Sequence, residues 1–189
     1  MLSYAYNEVE TRRDINCGGL DLVASGEYEA DQYTARIGGD LPMRIGNHVF
    51  TPNAAFQYTH VSSQSFTETG AGVLNLVVDP EDLDMAIGIL GLNYQSTYQV
   101  KSGTWTPQIR TSLSYDFAGD DADSVSRFTG ANTTFTTKGM EVEQFGGAVG
   151  AGLTMSTSAG RWDISADYDA DIKGDFLGHT GRLQAKYNF

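Results

Sequence analysis

The sequence holds a single cysteine, Cys17. No disulfide can form within the chain, and no cysteine-based zinc site can be built. A lone thiol beside Gly18 and Gly19, in what reads as a short loop, is incidental. Basic residues are scarce: 12 Lys and Arg stand against 24 Asp and Glu, for a net charge of −12. Phosphate recognition needs clustered Lys and Arg, so nucleic acid is not an expected partner. Long apolar runs are missing too. The longest, 85–92, is far below the roughly 18 residues that a spanning helix needs. The N-terminus, Met1-Leu2-Ser3-Tyr4-Ala5-Tyr6-Asn7-Glu8, has no basic start and no apolar centre, so it does not read as a signal peptide.

Catalytic patterns are equally thin. There is no Gly-x-Ser-x-Gly turn and no Cys/His pairing, and the chain is not expected to be an enzyme. His48, His60 and His179 are far apart in sequence and fall near expected strand ends. The glycine-rich run 146–152 lacks the Lys-Ser/Thr and the helix of a phosphate-cradling loop. The acidic runs 79–84 and 120–123 lack EF-hand spacing and read as solvated loops. No metal and no cofactor is expected.

What the sequence does have is alternation with period two. The 189 residues include 22 glycines, ten tyrosines and nine phenylalanines, and only 19% are charged. Over 179–189, Gly181, Leu183, Ala185, Tyr187 and Phe189 fall on one face of a strand. Thr180, Arg182, Gln184, Lys186 and Asn188 fall on the other. Over 161–170, Trp162, Ile164, Ala166, Tyr168 and Ala170 oppose Arg161, Asp163, Ser165, Asp167 and Asp169. Over 104–117, Trp105, Pro107, Ile109, Leu113, Tyr115 and Phe117 oppose Gln108, Arg110, Ser112, Ser114 and Asp116. Over 143–156, apolar residues oppose the small row Gly146, Ala148, Gly150 and Gly152. Further strands are expected at 84–100, 48–60, 33–45, 20–30 and 2–12. That makes nine, with 65–78 as a hairpin beyond the membrane. No helix of useful length and no domain boundary is visible within 1–189.

Two all-β architectures share this period. A soluble sandwich turns its apolar face inward and seldom puts aromatics at both ends of it. Here Trp162 and Tyr168, Trp105 and Phe117, Phe50 and Tyr58, and Tyr187 and Phe189 stand near strand ends of the apolar face. Such girdles mark strands that face lipid. Short turns at 46–47, 101–103 and 157–160 separate some strands, and long polar stretches at 61–82, 118–142 and 171–178 separate others. Outer-membrane barrels have short periplasmic turns and long outer loops. The fold class is therefore an all-β, antiparallel transmembrane β-barrel of the outer membrane. An odd count of nine puts Met1 and Phe189 on opposite sides, and bacterial barrels have even counts. The expectation is that strands are missing upstream.

The residues also resemble the C-terminal part of an autotransporter β-barrel translocator domain. Gly39-Asp40-Leu41-Pro42-Met43-Arg44-Ile45-Gly46-Asn47 followed by Phe50-Thr51-Pro52-Asn53-Ala54-Ala55-Phe56-Gln57-Tyr58 is similar to that family's strand, short turn and Pro-Gln strand, with Asn53 where Gln is common. Ser65-Phe66-Thr67-Glu68-Thr69-Gly70 resembles its Phe-x-Glu-x-Gly loop. Ile89-Leu90-Gly91-Leu92, Trp105-Thr106-Pro107, Arg127-Phe128-Thr129-Gly130-Ala131, Phe135-Thr136-Thr137-Lys138-Gly139, Gly150-Ala151-Gly152-Leu153, Ala166-Asp167-Tyr168-Asp169-Ala170 and the end at Phe189 follow in the family's order.

The resemblance implies the fourth to twelfth strands of a twelve-strand barrel. It implies a barrel that anchors and exports an N-terminal passenger, by type V protein secretion across a Gram-negative outer membrane. A small adhesin-like or porin-like barrel with ligand-binding outer loops is the rival reading. The expected partners are outer-membrane lipid, the outer-membrane assembly machinery and the chain's own passenger. Leu183, Ala185, Tyr187 and Phe189 would form the assembly signal. Arg36, Arg44, Arg110, Asp116, Asp163, Asp167, Asp169, Arg182 and Lys186 would face the lumen.

Overall fold

The computed structural model describes residues 1–139, 142–157 and 160–188 and, for Cys17, the backbone alone. Where the alternation is cleanest, the strands begin and end close to where the sequence puts them. Strand β1 (Leu2–Cys17) turns at Gly18-Gly19 into β2 (Leu20–Asp40). Both turn residues have positive φ, +58° and +82°, which glycine adopts without a Cβ penalty. Cys17 is thus the last residue of β1 and not a loop residue.

Strand β2 is 21 residues long and fuses the segments expected at 20–30 and 33–45. The ladder is interrupted at Leu41-Pro42, where proline has no N–H to give. It resumes as β3 (Met43–Ile45), which pairs with the start of β4 (His48–Ser63). Then come β5 (Phe66–Thr67), a three-residue 3-10 turn at Gly72–Leu74, and β6 (Leu76–Pro80). Strand β7 (Leu83–Ser96) continues as β8 (Tyr98–Val100) and pairs with β9 (Gly103–Asp116). The stretch expected as a long loop at 118–142 carries β10 (Ser124–Phe128) and β11 (Thr134–Thr137). Strands β12 (Phe145–Thr157), β13 (Trp162–Lys173) and β14 (Phe176–Tyr187) close the sequence.

The hydrogen-bonded order is β1-β2-β4-β7-β9-β12-β13-β14, antiparallel, with β3 and β8 as continuations. The nine expected strands therefore resolve into eight long ones. A spanning strand needs about 9–11 residues. At 21 residues, β2 is about twice the length that one crossing uses. The polar stretch expected at 171–178 is mostly strand as well, with a two-residue turn between Lys173 and Phe176.

The chain divides into two compact units. Unit 1 comprises Met1–Arg36, Gln57–Ala86 and Ala118–Val142. It contains a second sheet in the order β11-β10-β6-β5. Unit 2 comprises Ile37–Phe56, Ile87–Phe117 and Glu143–Phe189 and holds most of the long ladder.

Burial runs opposite to that of a soluble domain. Among the described residues, the buried hydrophobic side chains are Ala24, Ala30 and Ala71. The large apolar residues are outside: Leu90 is 67% exposed, Ile109 51%, Leu113 57% and Leu183 85%. Along β9 the odd residues from Trp105 on are mostly exposed while the even, polar ones are half-buried. Hydrophobic burial from water stabilises a soluble fold by about 25 cal/mol per Å². A sandwich that exposes this face to water forfeits that term, whereas a lipid-facing wall does not.

Candidate functional site

Strand pairing decides which side chains meet on the polar face of unit 2. Arg110 of β9 lies opposite Gly150 of β12, and Gly150 lies opposite Asp169 of β13. Two residues along, Gln108, Gly152 and Asp167 line up in the same way. With no Cβ on the middle strand, the long side chains lie across it. Arg110 Nη2 donates to both Asp169 oxygens at 2.9 and 3.0 Å, and Nη1 donates to Asp167 Oδ1 at 3.0 Å. Gln108 Nε2 donates to the same Asp167 oxygen at 2.8 Å. A Cβ at Gly150 would overlap the Asp169 carboxylate, and one at Gly152 the Asp167 carboxylate. The small row therefore does not leave an empty space. It seats a three-strand ion-pair network that is half-buried and charge-assisted on every bond.

The other polar-face residues have separate surroundings. Asp163 accepts from Ser156 Oγ at 2.6 Å and from Asn188 Nδ2 at 3.1 Å. Asp163 also stands opposite Lys186, and Asp167 opposite Arg182, so the β13–β14 pair alternates sign correctly. Asp116 is buried at the end of β9. Arg36, Arg44, Arg182 and Lys186 are exposed. By strand alternation all nine sit on the polar face of their own strand. The structure joins Arg110 with Asp167 and Asp169 and does not bring the nine into one cluster.

At the end of the chain, Leu183, Ala185 and Tyr187 share the apolar face of β14, and the Tyr187 ring meets Trp162 at 4.9 Å. Asn188 N donates to Arg161 O at 2.8 Å and holds the strand end to β13. Phe189 lies outside the described residues.

Unit 1 carries a cluster whose partners the sequence did not reveal. Beyond Tyr6, the face of β1 that follows Tyr4 and Tyr6 reads Glu8, Glu10, Arg12 and Asp14, so this end stands in water. On the opposite face, Arg13 reaches Glu68 in the loop after β5. Arg13 Nε donates to Glu68 Oε1 at 3.0 Å, and Nη2 donates to Oε2 and to Leu74 O. Leu76 N–H adds a bond to Oε2 at 2.8 Å. Burial pushes the Glu68 carboxyl up, but the Arg13 bonds and the Leu76 amide outweigh it and hold it below the usual range.

The rest of the Phe-x-Glu-x-Gly loop has equally physical roles. Phe66 stacks on Tyr28 at 4.9 Å and lies over Gly26, where a Cβ would strike the ring. Gly70 has φ +99° and approaches Val23 O too closely for any side chain. Ser25 and Thr69 exchange backbone bonds at 2.9 and 2.8 Å. The motif was legible in the sequence; Arg13 was not, because nothing local distinguishes it.

The acidic runs act as acceptors. Asp123 takes Gly139 N–H at 2.9 Å, and Asp84 takes Tyr58 Oη at 2.6 Å and bonds His60 at 2.9 Å. Among the described residues, no group of three His, Cys, Asp or Glu side chains could hold a metal ion. His48 bonds Tyr94 Oη at 2.9 Å and His179 bonds Tyr168 Oη at 2.6 Å, so each histidine is tied to a partner of its own.

An exposed apolar face and a bonded polar face are the two faces of an outer-membrane wall. The autotransporter β-domain family matches residues 1–169. The chain belongs to that family. It is an antiparallel β-barrel protein of the outer membrane, and an exposed apolar face is what such a barrel turns to lipid. No curated protein matches the sequence. Among solved structures, the chain is similar to CarO of Acinetobacter baumannii at 9% identity, with 96% of this chain and 78% of that one covered. The TM-score is 0.20, too low to carry an argument.

Proposed function

We propose that this autotransporter β-domain anchors a passenger to the outer membrane and conducts it to the cell surface. The passenger would lie N-terminal to the barrel. The observation behind this is the Arg110–Asp167–Asp169 network. It lines the face turned from lipid with charges of both signs that are already paired to one another. Such a wall stays wet, and these three charges are held by one another and not left to hold a sliding chain. Arg36, Arg44, Arg110, Asp116, Asp163, Asp167, Asp169, Arg182 and Lys186 would face the lumen.

The role is passive, and no step of it is enzymatic. The partners are outer-membrane lipid, the passenger and the assembly machinery; nucleic acid is not among them. That machinery would read Phe189 together with Leu183, Ala185 and Tyr187 of β14, the strand that ends the strand order and offers one edge for strand addition. A second reading has its own support. The outer loops form a four-stranded sheet, which suits a ligand-binding, adhesin-like surface.

The test is a reporter passenger fused upstream of the intact gene's barrel. Surface protease accessibility of the reporter is measured with and without the β10–β11 segment. Export that needs the barrel but survives loss of that segment supports the conduit. A barrel that assembles fully yet never exposes the reporter refutes it.

A further inference from the structure

The apolar face of unit 2 is not smooth. Leu90 of β7 and Leu113 of β9 are cross-strand partners and stand out as a ridge, both more than half exposed. A trough lies on each side. The first, of about 550 Å³, has Ala54 as its floor and Ile37 and Phe56 along its far wall, and the Phe117 ring covers Gly88 at its upper end. The second, of about 500 Å³, has Thr111 and Gly147 as its floor and Val149 and Ile172 beyond. The ridge pair belongs to both troughs. Neighbouring strands are about 4.8 Å apart, so the trough floors sit roughly 10 Å from each other across the ridge.

The upper rim of the first trough is made by Tyr115, Phe117 and Phe145. These residues flank the long connection between β9 and β12, and long connections mark the outer side. The troughs therefore open into the outer leaflet. They are continuous with the face that lipid covers. Water cannot fill them, because their walls give it almost no hydrogen-bond partners at hydrocarbon depth. Leaving them empty forfeits contacts along both walls. Acyl tails are what the surroundings supply.

We infer that unit 2 holds one outer-leaflet lipid astride the Leu90–Leu113 ridge, with an acyl tail in each trough and its headgroup above the aromatic rim. The ligand class is a lipid with at least two tails. A single-tailed lipid fills one trough only. The site is independent of whether the barrel exports a passenger.

The test uses the intact protein purified from outer membranes in mild detergent and scored on its heat-modifiable, folded band. Dimyristoyl phosphatidylglycerol and its single-tailed lyso form are titrated, and bound lipid is counted by native mass spectrometry. The expected result is at least tenfold tighter retention of the two-tailed lipid. Ala54→Leu, which fills the first trough, should abolish that preference, and Thr111→Leu should do the same from the second. Ala166→Leu, on the same face of β13 but outside both troughs, should leave it intact. Equal retention of the two lipids by the parent protein overturns the proposal. So does a full preference in whichever of the two trough-filling variants folds.

Discussion

Replacing Glu68 with alanine should loosen the outer hairpin while the long ladder stays folded. The magnitude follows from what the carboxylate touches. Glu68 accepts two bonds from Arg13 and one from the Leu76 amide, and its side chain is only 7% exposed. Arg13 is 37% exposed and can turn to water. Fully buried pairs cost about 3–5 kcal/mol when one partner is removed, and exposed pairs about 0–1. This pair lies between the two, and the orphaned Leu76 N–H adds its own penalty. A cost of about 2 kcal/mol results, roughly a 30-fold rise in the open population. Arg13→Ala should cost more, about 3 kcal/mol, because it strands a nearly buried carboxylate. Glu68→Gln should cost about 1 kcal/mol, since it can still accept from Leu76. Hydrogen exchange of peptides covering 64–82 reads all three directly. The order is the sharp part. Exchange in Glu68→Ala within twofold of the parent, or Glu68→Gln opening more than Glu68→Ala, would refute this account of the hairpin.

Three other outcomes follow from the same contacts. The Glu68 carboxyl titrates below its ordinary value, so its contribution is fully present above about pH 4.3 and fades as pH falls through the depressed pKa; acid should therefore lower the protection of 64–82, measured against the unstructured peptide at the same pH, in the parent and change it much less in Glu68→Ala. Gly150→Leu should expel the Asp169 carboxylate from Arg110 and destabilise the barrel by about 2 kcal/mol in a urea titration, while Gly147→Ala, whose nearest new contact is 3.5 Å, should cost under about 0.5 kcal/mol. Leu183→Arg or Ile164→Arg should cost about 2–4 kcal/mol near the bilayer midplane and Gln184→Arg far less, and equal costs in a lipid-refolding titration would remove the two-faced assignment.

How much was legible depended on whether a strand lay in lipid. Strands β9, β12 and β13 keep one apolar row from end to end, and their expected limits fall within about three residues of the observed ones. The alternation failed at 30–33. There the apolar row of β2 gives way to Asp31, Glu29 and Glu27, which lie opposite Tyr6, Glu8 and Glu10 on β1. A strand leaving the membrane loses the contrast that identifies it, and a polar strand in water looks like a turn. The same loss hid the ends of β13 and β14 around 171–178. The faces of the nine charged residues were readable by period. Their partners were not, because partners depend on register. Arg110 is 57 and 59 residues from its two aspartates.

Glycine links the two clusters, and in both it acts as a space and not as a hinge. At Gly26, Gly150 and Gly152 the backbone is ordinary strand, and positive φ is not involved. What these positions share is a long side chain lying flat over them: the Phe66 ring over Gly26, Arg110 over Gly150, and Gln108 over Gly152. In a sheet with one face in lipid, the other face cannot gain stability by burying apolar volume. It gains it by letting polar and aromatic groups span three strands and bond directly. That requires a bare middle strand at particular register positions. Moving β12 by one residue would put Val149 and Ala151 where Gly150 and Gly152 now sit, and every bond of the Arg110 network would be blocked at once. The glycine row therefore fixes the register of β9, β12 and β13.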